Sequence, residues 1–134
     1  RAKIGEAKYL EWLKELGLSD HQRSEMEKFF DSSFEEVERS FPCEGARELR
    51  ALFELLQESG VAKDRVIFDP KVLRGLDYYT GTVFEMYDCS PENNRAMFGG
   101  GRYDNLVGLF GKDKLPGVGF GMGDVTLRNF LFDS

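Results

Sequence analysis

The stretch Arg74-Gly75-Leu76-Asp77-Tyr78-Tyr79-Thr80-Gly81-Thr82-Val83-Phe84-Glu85 packs a guanidinium, a carboxylate and two phenols into six residues, then runs into β-branched and aromatic positions. A planar, permanently charged fork and hydroxyls that either donate or accept are groups suited to holding a polar ligand. The competing account is a surface ion pair between Arg74 and Asp77, with one buried and one exposed phenol on a turn. Gly75 and Gly81 bracket the cluster and let the backbone bend or come close to a ligand, while Thr82, Val83 and Phe84 favour a pleated strand. The polar groups are therefore presented from a rigid edge.

Two further glycine-punctuated stretches follow, Phe98-Gly99-Gly100-Gly101-Arg102-Tyr103-Asp104 and Gly117-Val118-Gly119-Phe120-Gly121-Met122-Gly123. In the second, glycines alternate with large apolar residues, so a strand would carry every glycine on one face and every bulky group on the other. Close packing of a helix on that bare face is one use. Approach of a flat ligand is the other, and it is favoured because glycine costs conformational entropy that alanine or valine would not. The stretch lacks the Gly-Lys-Ser/Thr ending of a phosphate loop and does not fit a dinucleotide fingerprint. At Gly99–Gly101 a cleared ligand space and a β-bulge stand level.

Helices and strands must position these groups. Tyr9, Trp12, Leu13 and Leu16 at i, i+3, i+4 and i+7 predict a helix over 3–16 ending at Gly17. Ser19 or Asp20 caps a second helix, with Met26, Phe29 and Phe30 on its inner face and a break at Ser32-Ser33 before Phe34 and Val37. After Phe41-Pro42, Leu49, Leu52, Phe53 and Leu56 repeat the helical spacing until Gly60. The aromatic residues among these read as core, and the lone His21 as solvated. From about Lys63 the composition changes: eleven of the fifteen glycines and four of the five tyrosines lie at 75 or beyond. Strands are predicted at Arg65–Phe68, Thr82–Tyr87, Ala96–Arg102 and Val118–Met122, with a hairpin connection over Cys89–Asn94. Helices are predicted at Tyr103–Leu109 and at Asp124–Phe132 with Asp124 as N-cap, and a loop at Gly111–Pro116.

At 134 residues the chain is one domain or two small ones, and 41% hydrophobic content with 31% charge is globular. No apolar run approaches the ~20 residues of a membrane helix, and the N-terminal residues have no secretory pattern. Cys43, Cys89 and His21 cannot make a zinc set, and both cysteines read as reduced structural thiols of a cytoplasmic protein. Residues 1–64 carry ten Lys+Arg against fifteen Asp+Glu, and 65–134 carry eight against nine. Unaided binding to a polynucleotide should be weak, so an RNA substrate would be gripped elsewhere.

The three glycine-punctuated stretches together resemble the histidyl-tRNA synthetase catalytic domain. Arg74 to Glu85 is similar to that family's histidine-recognition motif nearly residue for residue, and Gly99-Gly100-Gly101-Arg102-Tyr103-Asp104-Asn105-Leu106-Val107 to its second stretch. The resemblance is strongest over 65–131. It implies an α+β fold: a class II synthetase-like antiparallel sheet flanked by helices (63–134, part of the catalytic core), preceded by a small helical insertion segment (1–62). It also implies an activity, condensation of histidine with ATP to histidyl-adenylate and transfer to tRNA, in a homodimeric parent with Mg accompanying ATP and no protein metal site in this chain. Carried over by motif position, Arg74 would contact the histidine carboxylate and the α-phosphate. Tyr78, Tyr79 and Tyr103 would line the histidine pocket with Gly99 and Gly100, the Tyr79 hydroxyl bonding an imidazole nitrogen. Gly119, Gly121, Gly123 and Thr126 fall at the ATP side.

The pattern departs from the family in two places. Thr126 stands where the third class II motif carries an arginine, and Arg128, two residues on, turns by roughly 200° at about 100° per residue, to nearly the opposite helix face. No stretch resembles the first or second class II motif, so the chain looks like the second half of a catalytic domain that alone does not aminoacylate. A synthetase-like regulatory subunit of ATP phosphoribosyltransferase, which binds but does not ligate, shares the fold and is the alternative.

Overall fold

The computed structural model describes residues 6–72, 75, 77–90, 95–111 and 113–132. Four helices come first: α1 (Glu6–Glu15), α2 (Asp20–Asp31), α3 (Phe34–Ser40) and α4 (Glu44–Glu58). Their ends are set by local chemistry. Gly17 and Gly60 adopt φ of +76° and +88° after α1 and α4, a left-handed conformation that side chains resist. Ser19 and Ser33 each build a capping box, Ser19 with Gln22 and Ser33 with Glu36, so α2 stops and α3 restarts across Ser32-Ser33.

The chain divides into two compact units, Arg1–Pro42 with Ile67–Pro70, and Cys43–Val66 with Lys71–Ser134. One unit thus ends before α4 and takes in Ile67–Pro70. In the first unit Leu13, Phe34 and Val37 are buried, the Phe34 ring meets Phe68 at 5.3 Å, and Phe29 meets Phe41 edge-on at 5.5 Å. The apolar stripe of α1 is only partly covered: Leu13 is 2% exposed but Trp12 is 50%.

The second unit holds α4 and an antiparallel sheet of β1 (Val83–Tyr87), β2 (Ala96–Tyr103) and β3 (Gly117–Met122), with β2 central. Helix α5 (Asp124–Phe132) packs on β2. Register and alternation sort the side chains. One face carries Val83 and Glu85, then Gly99, Gly101 and Tyr103, then Gly117, Gly119 and Gly121. The other carries Phe84, Met86, Phe98, Gly100, Arg102, Val118, Phe120 and Met122, with Phe98 and Phe120 rings 5.7 Å apart.

Three sequence expectations are corrected. Arg65–Phe68 is not a strand: a 3-10 turn spans Lys63–Arg65, and Val66 is extended but pairs with no strand among the described residues, leaving Ile67 83% exposed. An extended run becomes a strand only when another chain segment takes its hydrogen bonds. Tyr103–Leu109 is not a helix, because β2 runs on through Tyr103, which pairs with Gly117, and only Val107–Leu109 forms a 3-10 turn. Asp124 is the first residue of α5 rather than its cap, since the Gly123 carbonyl accepts the Leu127 N–H and the Asp124 carboxylate accepts the Val125 N–H. Of the hairpin connection Cys89–Asn94, residues 91–94 lie outside the described residues.

Candidate functional site

The glycine face of the sheet is where the tyrosines gather. Tyr78 and Tyr79 rings lie 4.7 Å apart, and Tyr78 meets the Tyr103 ring edge-on at 5.7 Å. All three side chains are half-buried. Tyr79 lies against Gly101: a methyl carbon placed there would be 2.8 Å from Tyr79 Cδ1. Tyr103 lies against β3, where a methyl on Gly117 would be 2.6 Å from its Cε2 and one on Gly119 would be 3.1 Å from its hydroxyl. Bare backbone on β2 and β3 thus admits two of the three rings, and Tyr78 bridges them.

A polar clasp fixes this arrangement. Thr80 N–H donates to the Arg102 carbonyl (3.0 Å) and Arg102 N–H to the Thr82 carbonyl (2.9 Å), which laces the tyrosine stretch to β2. The Thr80 hydroxyl donates to Asp104 Oδ2 and accepts the Asp104 N–H, both at 2.9 Å. Arg102 Nε donates to Asp104 Oδ1 at 3.0 Å, and its Nη1 reaches Glu48 of α4 at 3.5 Å. The Arg102 hydrogen bond, then that of Thr80, holds the Asp104 carboxyl below the usual aspartate range, and Asp104 in turn raises Arg102. Sequence reasoning quoted Arg102 and Asp104 without giving them a role. The available signal was an arginine and an aspartate two apart at a strand end, which is the spacing at which side chains share a strand face.

The other expected site residues divide. Arg74 lies outside the described residues. Gly99 is buried on the glycine face opposite Gly121. Gly100 points to the opposite, apolar face, where a methyl would run into the Gly119 carbonyl and lie 2.7 Å from Phe120 Cα, so its bareness serves sheet packing and not the tyrosine face. Of the ATP-side glycines, Gly119 is covered by Tyr103 and Gly123 by the Thr126 hydroxyl, while Gly121 has nothing within 4 Å of where a side chain would start. Thr126 is buried, its hydroxyl donating to the Gly123 carbonyl at 3.0 Å at the start of α5. Asp77 is exposed. Glu85 adds a carboxylate to the glycine face and accepts the Tyr87 hydroxyl at 2.6 Å. Cys43 and Cys89 are free and exposed rather than packed, and Arg65 donates to Cys89 Sγ at 3.2 Å. Among the described residues no helix is long and apolar enough to cross a membrane.

Comparison with known proteins agrees with this architecture. The chain is 57% identical to the histidine–tRNA ligase of Leptospira biflexa over 83 residues, 62% of this chain and 19% of that protein. It is 37% identical to that of Haloarcula marismortui over 135 residues, 96% of this chain and 31% of the relative. The crystal structure of histidyl-tRNA synthetase from Nostoc sp. PCC 7120 superposes with a TM-score of 0.79 at 33% identity, covering 98% of this chain and 34% of that one. A structure described as an ATP phosphoribosyltransferase regulatory subunit/histidyl-tRNA synthetase from Bacillus halodurans C superposes with a TM-score of 0.72 at 28% identity, over 91% of this chain and 34% of the other. The chain therefore spans between a fifth and a third of the length of these curated relatives, and its helices and antiparallel sheet are an α+β fold of the class II synthetase kind. With the histidyl-tRNA synthetase family model matching residues 5–125, the chain belongs to the histidyl-tRNA synthetase family.

Proposed function

We propose that these residues form the amino-acid side of the active site of a histidine–tRNA ligase. The full protein joins histidine to ATP through attack of the histidine carboxylate on the α-phosphorus, releasing pyrophosphate. A ribose hydroxyl at the tRNA terminus then attacks the histidyl carbonyl and releases AMP. The observation that carries this reading is the gathering of Tyr78, Tyr79 and Tyr103 on the glycine face of the sheet. Phenols suit an imidazole because one hydroxyl either donates to its bare nitrogen or accepts from its N–H. Tyr79 takes that role, Tyr78 and Tyr103 wall the pocket, and Gly99 clears its floor. Gly121 is the position at which a nucleotide comes closest to backbone. Arg74 binds the histidine carboxylate and the α-phosphate, where a fork that stays charged stabilises the oxygens on which charge accumulates.

In this reading residues 1–62 are the helical insertion and 63–134 part of the catalytic core of a cytoplasmic homodimer, with Mg entering bound to ATP. The acidic balance of 1–64 puts the principal grip on tRNA elsewhere in the full protein. The 134 residues alone should not aminoacylate, since they contain neither the first nor the second class II motif.

The regulatory-subunit reading is favoured by one specific feature, a threonine at 126 that is buried and bonded back to Gly123, together with the likeness to the Bacillus halodurans structure. Histidine-dependent exchange of pyrophosphate into ATP decides between them. The full-length protein should catalyse it, and Arg74→Ala should lower its rate by about a hundredfold or more, the usual consequence of losing one preorganised donor. Histidine binding without exchange would hand the assignment to the regulatory subunit.

A further inference from the structure

We propose that Gly117 and Gly119 are positioning residues for histidine: their missing side chains form the seat of the Tyr103 ring, and through it they set the wall of the pocket. This rests on the reading of Tyr103 as a histidine-pocket residue. Three reasons for glycine in β3 compete. Backbone conformation is not one, because the positive-φ glycines among the described residues are Gly17 and Gly60. Direct approach of a ligand applies to Gly121, which faces open space, but not to Gly117 or Gly119, which face Tyr103. Accommodation of the ring is what remains.

The ring has little room to yield. A methyl on Gly117 would be 2.6, 3.1 and 3.3 Å from Tyr103 Cε2, Cζ and Cδ2, so it meets the ring and not a flexible tip. Tyr78 meets that ring edge-on at 5.7 Å and itself lies against Tyr79, whose ring abuts Gly101. A displaced Tyr103 therefore disturbs the contacts of the whole row of phenols. Gly121 lies four residues further along the strand, roughly 13 Å away at the usual rise, so the nucleotide end is spared. The alternating glycines thus divide the labour: the first two hold a side chain for the amino acid, and the third leaves space for the nucleotide.

The test uses the full-length protein, with histidine and ATP affinities read separately by calorimetry. Gly117→Ala, and more mildly Gly119→Ala with its 3.1 Å contact, should weaken histidine binding, the former by about tenfold or more, as sub-ångström to ångström misplacement of a binding group does. ATP affinity should stay within about twofold in both. Gly121→Ala should show the reverse pattern. The melting temperature supplies a readout that needs no ligand: Gly117→Ala should lower it in the wild-type background and hardly at all when Tyr103→Ala has vacated the seat. If Gly117→Ala does not fold, restoration of folding by Tyr103→Ala and weakened histidine binding by Gly119→Ala stand in its place. Unchanged histidine affinity, equal losses for the two ligands, or equal melting shifts in both backgrounds would overturn the proposal. Absence of pyrophosphate exchange with these patterns intact would instead remove the ligase reading and leave the seat standing.

Discussion

The helical unit and the sheet unit use aromatic residues in opposite ways. In the first, rings fill space left by other side chains: Phe34 against Phe68, Phe29 against Phe41, with Leu13 and Val37 buried beside them. On the glycine face of the second, rings occupy space left by the absence of side chains, Tyr79 on Gly101 and Tyr103 on Gly117 and Gly119. The first arrangement is indifferent to which face of the ring is where, provided the volume is filled. The second brings hydroxyl-bearing rings to the backbone of a rigid sheet and so fixes where their polar tips lie. The former suits a core, and the latter suits a binding site. The difference has a mechanical consequence: the helical unit should fail when atoms are removed, and the sheet unit when they are added.

The sharpest separation comes from Phe34→Ala, which should destabilise the helical unit by about 3–4 kcal/mol through lost burial and the cavity left beside Phe68. The chain has one tryptophan, Trp12 in α1, so its fluorescence during urea unfolding follows that unit. The opposite change is Gly100→Ala, where one added methyl meets backbone atoms of β3 that have nowhere to go. It should cost about 2–3 kcal/mol, read from the near-ultraviolet circular dichroism of the tyrosines, four of which lie at 78 or beyond. Equal sensitivity of both probes to both variants would erase the distinction between the units.

This contrast also explains what could be read from sequence. Helical spacing at Leu49, Phe53 and Leu56, the serines at 19 and 33, and glycines after α1 and α4 are local signals, and the helices appear where they point. The alternation of Gly117–Met122 announced β3 and its two faces equally well. What lay over the bare face was not legible, because the occupant comes from the neighbouring strand and its register is set by pairing across the sheet. The same nonlocality undid the strand at Arg65–Phe68, whose residue types are right but which has no partner among the described residues. It also undid the helix at Tyr103, whose backbone is claimed by Gly117. The tyrosine set was visible as a motif, and the Arg102–Asp104–Thr80 clasp that holds it became visible only once the two stretches lay side by side.

Smaller perturbations refine the comparison. Ser33→Ala removes the hydroxyl that accepts the Glu36 N–H and should cost the helical unit about 1 kcal/mol, with the tyrosine signal unchanged. Gly121→Ala adds an atom to the sheet unit at the one β3 glycine that faces open space at ordinary φ. Its stability should change by no more than about 0.5 kcal/mol and in the favourable direction, since alanine restricts the unfolded chain more than glycine does. A large loss there would contradict the rule that the sheet unit is intolerant only where the added atom meets something.

The smallest expected effect is in acid, and it separates two carboxyls, one from each unit, by mechanism and not by size. Glu36 is held below its ordinary range chiefly by the Ser33 backbone N–H, and Asp104 chiefly by its hydrogen bond to the Arg102 guanidinium. Both are carboxyls with depressed folded-state values. Their stabilisation is therefore complete above the unfolded carboxylate range, about pH 4, and is lost as pH falls through the lower folded values. Salt acts on the two unequally. A neutral amide donor is little affected by ionic strength, whereas an exposed ion pair is screened, with a screening length of about 4 Å at about 0.5 M. Raising salt to that level should flatten the share of the acid dependence that Asp104→Asn removes from the tyrosine signal. It should leave nearly as it was the share that Glu36→Gln removes from the Trp12 signal, the rest of which includes Glu25, held low by its exposed pairing with Lys28 and screened like Asp104. If salt flattens both alike, the Asp104 clasp is no more ionic than a helix cap, and the tyrosine stretch is held by its backbone bonds to β2 and by ring packing on glycine.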